Sequence, residues 1–140
     1  MWDIPPTGPI IAPGALHPFH AATRAGAAHV VPIDDLYHLV YWGTDPNGQH
    51  HILHATSAPD APNDWTPTKD PLLSAQPENP YNSRGPSFPF LLPVSADYWL
   101  LYYCGWGDPR PDGKLPNTTG VALSSDSGQT WRYHDGQLPR

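Results

Sequence analysis

The chain has 140 residues, enough for one domain whose core buries most of its apolar surface. Charged residues make up 14% against 20 prolines and 12 glycines, which excludes long surface helices and predicts an all-β fold of short strands and turns. The net charge of −6, with the few Lys and Arg scattered, excludes the basic footprint that nucleic acid or an acidic membrane surface demands, so a neutral partner fits better. Six Trp, seven Tyr and three Phe need an interior, which excludes disorder despite the proline. Cys104 is the only cysteine, so neither an internal disulfide nor a Cys-based zinc site is available, and it is expected to pack in a strand. No apolar run reaches membrane-spanning length, and "MWDIPPTGPI" carries no basic or apolar leader. The expectation is a soluble chain without an export signal, and without a membrane partner.

In chain order, residues 1–22 read as a lead-in, 23–75 as a first unit and 76–140 as a second. The first unit contains "AAHVVP", "LYHLVYW", "HILHATS" and a strand beginning at Trp65; the second contains "SFPFLLP", "YWLLYYC", "TGVALSS" and a strand beginning at Trp131. The units repeat one another about every 60 residues, with Arg24 over Arg84, Tyr37 over Tyr98, Ser57 over Ser124 and Trp65 over Trp131. Asp-rich and Pro-rich turn signals separate the strands, and the second copy carries extra residues between its second and third strands. In that second strand Tyr98, Leu100 and Tyr102 alternate with Trp99, Leu101 and Tyr103, so both faces are apolar and both are expected to be covered.

Four-stranded antiparallel units that each need a neighbour on either face are what a β-propeller is built from. Two such units leave the ring incomplete, so further blades of the same chain or a homo-oligomer are expected to close it. A two-sheet sandwich of eight strands remains the competing architecture. The segment "SSDSGQTW", Ser124 to Trp131, reads as a turn staple: Ser and Asp side chains bond nearby amides, Gly accepts positive φ, and Trp anchors the return strand.

Ser-x-Asp-x-Gly-x-Thr-Trp at 124–131 resembles the Asp-box of sialidases and other propeller proteins. The wider layout, with Arg84 and Pro86 ahead of the first strand, aromatic second strands, and "TGVALSSDSGQTW", is similar to the five-bladed propeller glycosidases of glycoside hydrolase families 43, 32 and 130. The resemblance implies a carbohydrate substrate, held on the ring axis by residues at the start of the innermost strand and after the second strand. By position these are Arg24, Arg84 and Asn82, then Trp42, Asp45, Trp106 and Asp108. The sequence departs from family 43 where that family places its catalytic Asp, which here reads "ATRAGAAH"; Glu78, the only Glu, stands nearest to the place of the acid. "WGTDPNG" at 42–48 is similar to the nucleophile motif of family 32 but follows the second strand, and so reads as a turn.

Glycoside hydrolysis needs two carboxylates flanking the scissile bond. Most of the Asp residues sit in turn contexts, whereas Asp45 and Asp108 each follow a Trp, a pairing of platform and acceptor suited to a sugar. Asp45, Asp108 and Glu78 are therefore the candidate catalytic carboxylates, and Arg24, Arg84, Asn82, Trp42 and Trp106 the candidate substrate-binding residues. Arg24 and Arg84 take the same place in both copies, where a guanidinium could bind a carboxylate or paired hydroxyls. His50, His51 and His54 lie close in sequence, but His51 and His54 fall on opposite faces of one strand, so no metal is expected, nor any other cofactor. Three functions stay open: part of a glycoside hydrolase, a lectin-like propeller assembled from two-blade protomers, and a sialidase-like exo-glycosidase.

Overall fold

The computed structural model describes residues 11–134, and among them there is no helix. The start of the expected lead-in and the last residues of the second unit lie outside the described residues. Eight strands follow in chain order: β1 (Arg24–Ile33), β2 (Leu36–Thr44), β3 (His50–Ser57), β4 (Thr66–Pro67), β5 (Gly85–Pro93), β6 (Trp99–Trp106), β7 (Asn117–Ser124) and β8 (Arg132–Tyr133). They form two four-stranded antiparallel sheets, β1-β2-β3-β4 and β5-β6-β7-β8, each a meander of sequence neighbours with no strand exchanged between them. These are blade-like repeats, and two of them do not close a ring. The fourth strands are two residues long and start just after Trp65 and Trp131.

Each first strand carries a bulge at the same place. The β1–β2 register shifts between Gly26 and His29, and the β5–β6 register between Ser87 and Phe90. Within the bulges Ala27 (φ 48°) and Phe88 (φ 49°) take the left-handed conformation that side chains normally avoid. Further along, His29 stacks on Phe90 with ring centres 4.4 Å apart and accepts a hydrogen bond from the Leu91 amide (3.1 Å), tying one inner strand to the next.

The ladder corrects the sequence alignment of the arginines. Thr23 N donates to Thr44 O and Arg84 N to Trp106 O, so Thr23 and Arg84 hold corresponding places. Arg24 lies one residue further on, paired with Thr44 as Gly85 is paired with Trp106. Similarly, Trp42 lies inside β2 and Trp106 at the end of β6 rather than in the loops that follow. Both copies carry the same bulge, so it moves neither against the other: Gly26 corresponds to Ser87 and His29 to Phe90, and the shared identity of the two arginines alone drew the match one residue off.

The core lies between the sheets. Val40 and Ile52 of the first meet Leu91, Trp99, Leu101, Tyr103 and Ala122 of the second, all buried. The opposite face of the first sheet, with Leu39, Tyr41, Leu53 and Ala55, is covered by the lead-in through Ala21, Leu16 and Ile11. His17 of this segment is buried: its Nε2–H donates to Thr68 O (2.8 Å), leaving Nδ1 to accept from the Tyr41 hydroxyl (2.6 Å). Among the described residues nothing covers the opposite face of the second sheet, where Leu92, Tyr98 and Tyr102 are exposed. The expectation that β6 is covered on both sides therefore holds here for one side only.

The turn at Ser124–Trp131 is tied as the residue types demand. Ser124 Oγ donates to Asp126 Oδ1 (2.7 Å) and accepts from Gly128 N (2.9 Å). Asp126 accepts in turn from the Thr130 amide (2.9 Å) and the Thr130 hydroxyl, which holds its carboxyl down at about 2. The Trp131 indole closes the loop on Gly128 O (3.0 Å). Ser124 faces Trp99, at the end of the sheet opposite Trp106.

Candidate functional site

At the other end, where β1 and β5 begin and β2 and β6 finish, the two sheets enclose an open cleft of about 610 Å³. That volume suits one or a few sugar-sized rings. Five of the residues singled out in the sequence line it: Arg24, Trp42, Asp45, Arg84 and Trp106. They arrive from both sheets. The junction is fixed by a backbone hydrogen bond, His50 N to Arg84 O (2.8 Å), so the start of β3 holds the residue that leads into β5. Gly85 makes this approach possible: its φ is +103°, and a Cβ there would stand 2.3 Å from His50 O.

Arg84 is half-buried and reaches toward the β2–β3 loop, its guanidinium 3.9 Å from where a Cβ on Gly48 would lie. Arg24 is exposed on the same cleft. The ion pairs found among the described residues are His51–Asp45 and Lys114–Asp112, so neither arginine has a carboxylate partner there.

Among the described residues Asp45 is the one carboxylate on the wall, and it is 4% exposed. Its Oδ1 accepts from the amides of Asn47 (2.8 Å) and Gln49 (3.0 Å), and its Oδ2 from His51 Nε2 (3.0 Å). Burial pushes this carboxyl upward, but the hydrogen bonds from His51, Gln49 and Asn47 outweigh it and hold the pKa below the usual 3.8. On its other side the His51 ring meets Ser74 Oγ through Nδ1 (2.9 Å), and His20 packs edge-on against it. Asp45 is thus a carboxylate kept ionised and rigid, with both oxygens already engaged.

Three aromatic side chains shape the apolar part. Trp42 lies flat on His50, with ring centres 5.3 Å apart and planes 6° from parallel, and Phe88 meets Trp42 edge-on at 6.4 Å. Trp106 donates from Nε1 to the buried Ser87 hydroxyl (2.5 Å), which fixes its ring. Burial lowers the pKa of His50, and Arg84 and Arg24 lower it further, so the imidazole is neutral at pH 7. Trp42 Nε1, Thr44 Oγ1 and His50 Nδ1, all on wall residues, are buried without a hydrogen-bond partner.

The remaining candidates stand apart. Asn82 is 1% exposed, bonds Gln76 Oε1 through Nδ2 (3.1 Å) and shapes the loop before β5 rather than facing the cleft. Asp108 accepts from the Ser83 hydroxyl (3.1 Å) and lines a separate surface recess beside Pro80 and Pro116. Glu78 is exposed in the turn at 77–78 and reaches neither. Conversely, the sequence did not single out His50, Phe88 or Thr44 for this wall. His50 sat in a histidine cluster judged only for metal binding, and no residue type announces the left-handed bulge that turns Phe88 outward.

No family model matches the chain, and no curated protein matches it in sequence. Solved structures do match in three dimensions. A candidate glycoside hydrolase from Bacteroides ovatus superposes with a TM-score of 0.62 at 17% identity, over 79% of this chain and 30% of that one. Another from Parabacteroides distasonis gives 0.61 at 16%, over 78% and 31%. A candidate glycosidase from Bacteroides thetaiotaomicron gives 0.59 at 15%, over 78% and 31%. The likeness is one of fold. The chain spans about 30% of the length of the first of these structures.

Proposed function

We propose that the cleft between the two sheets is a glycan-binding site, and that the chain is part of a carbohydrate-active protein of the glycoside hydrolase kind. One observation carries the reading: Arg24, Arg84, Trp42 and Trp106, drawn from four places in the sequence, converge on one cleft, at the end of the sheets away from the stapled turn. Aromatic rings beside charged hydrogen-bond donors suit the apolar face and hydroxyl rim of a pyranose. The fold shared with candidate glycoside hydrolases supports the same class.

Of the three candidate catalytic carboxylates, only Asp45 stands on this wall. Hydrolysis through a carboxylate pair then needs a second acid brought to the cleft by a further sheet, from the same chain or from another copy. A lectin-like reading is favoured by the same observation, because a carboxylate with both oxygens engaged orients a ligand without attacking it. Glycan-array binding and a hydrolysis assay on the full-length protein separate the two. Both readings expect array binding that Trp106→Ala and Arg84→Ala weaken by about tenfold or more, the loss of a stacking or charged contact. Product release points to the hydrolase, and binding without turnover to the lectin. Unchanged binding in both variants contradicts the site.

A further inference from the structure

We propose that the protein carries a second carbohydrate site, for a neutral oligosaccharide, in a cleft between the two sheets at the end of the stapled turn. It takes its ligand class from the carbohydrate reading and shares no lining residue with the first cleft.

This second cleft measures about 530 Å³. One wall is the segment after β4, with Lys69 and Asp70; the other is the turn itself, with Gln129, Thr130 and Trp131; His54 also lines it. Both walls are fixed before any ligand arrives. Thr68 donates to His54 O from its amide (2.9 Å) and its hydroxyl (3.0 Å), its own carbonyl accepts from His17 Nε2 (2.8 Å), and Leu72 N donates to Ile52 O (2.8 Å). Across the cleft, Ser127 is tied twice to the β5–β6 hairpin, by its amide to Asp97 O (3.0 Å) and by its hydroxyl to Ala96 O (3.0 Å). The Trp131 indole is held by its bond to Gly128 O, and Gly128 sits so close to Trp99 that a Cβ there would stand 2.5 Å from that ring. Walls already ordered in this way lose little conformational freedom on binding.

The side chains they present suit a sugar. Trp131 gives a locked, half-buried aromatic surface for the apolar face of a pyranose, and Lys69, Asp70 and Gln129, all exposed, supply donors and acceptors for its hydroxyls. Charge decides the class of sugar. The cleft carries one cation and one anion at adjacent positions, Lys69 and Asp70, and His54 is uncharged at neutral pH because burial lowers its pKa to about 4. Balanced charge gives an acidic ligand no advantage, so a neutral glycan fits best. Nor is the polar lining a by-product of the repeat. Trp65, the counterpart of Trp131 in the first sheet, stands among Ile11, Leu39 and Tyr41 in a recess with no charged residue among those described.

The test is titration calorimetry of the full-length protein with cellohexaose, mannohexaose and xylohexaose. At least one of them is expected to bind in a way that Asp70→Ala/Gln129→Ala weakens by about tenfold or more and Trp106→Ala leaves unchanged. Its affinity should be the same at low and high salt, as a neutral ligand requires. Both substituted residues of the double variant are exposed, so its melting temperature should match wild type. Binding that Trp106→Ala abolishes and Asp70→Ala/Gln129→Ala does not touch overturns the second site and leaves the first cleft standing. Affinity that falls steeply with salt overturns the neutral class. Binding of none of the three by wild type overturns the second site outright, and a blank glycan array would then overturn the carbohydrate reading as well.

Discussion

Asp45 shows how one residue type can satisfy two expectations in the same sequence context. Its Trp-Gly-Thr-Asp-Pro setting could mean a ligand-facing acid or a turn former, and the structure makes it both a wall residue and the staple of the β2–β3 loop. His51 decides the balance by taking the second oxygen. Removing that imidazole as His51→Ala leaves a buried carboxylate short of a charge-assisted partner, at a cost of about 2 kcal/mol in unfolding free energy. Urea denaturation of this variant should show the loss, and His51→Gln, which retains a donor, should restore part of it. Wild-type stability in His51→Ala would mean that Asp45 is held by the backbone amides alone. The same scale explains what the sequence concealed. Arg24, Arg84, Trp42 and Trp106 were legible as a constellation because they are large, costly groups near strand ends. Their ladder positions were not, since an identity match between two copies does not distinguish one ladder place from its neighbour.

Among the elements, β5 does the most to join the two sheets, lying against β1, β2 and β3 of the first. Its entry is the critical point, where Gly85 lets the chain pass under the start of β3 and delivers Arg84 to the cleft. Gly85→Ala is expected to destabilise by about 3 kcal/mol or more, combining left-handed strain with a backbone collision that no flexible side chain can relieve. Thermal unfolding checks it, and a melting temperature equal to wild type would show that the junction can yield. Gly43 and Gly105 play matched parts elsewhere, since a Cβ on either would strike the backbone of the segment laid across the strand, at Ala21 or at Tyr81. This is the physical source of the Tyr-x-Gly ending, Tyr41 to Gly43 and Tyr103 to Gly105, seen in both repeats. Strand order and hairpin turns were legible from alternation and turn residues; the covering of one sheet by the lead-in was not, because "IAPGALHPFHAA" has no periodicity to advertise it.

For the molecule as a whole, histidine burial sets an acid limit. His17, His20, His29, His38, His50 and His54 all have lowered pKa values with burial as the leading cause, and His54, hydrogen-bonded to His38 at 3.0 Å, falls from 6.5 to about 4. An unfolded chain takes up protons at 6.5 that the folded one refuses until about 4, so stability is full above pH 6.5 and drains away between those values. His54 alone contributes on the order of 3 kcal/mol to that loss. Melting temperatures measured from pH 7.5 to 4 should fall steadily below 6.5, and a flat profile would contradict the burial of these rings. On the far side of the second sheet Leu92 pairs with Leu100 and Leu100 with Leu123, while Phe90, Tyr102 and Val121 form a second apolar row. We propose that a glycan binds in the cleft holding Arg24, Arg84, Trp42 and Trp106. A crystal structure of the full-length protein with an array-selected oligosaccharide tests it most directly. The expected result is a sugar ring against Trp106 or Phe88 with its polar rim on the two guanidiniums; a glycan seated instead beside the Ser124–Trp131 turn, with the cleft filled only by solvent, would contradict the assignment.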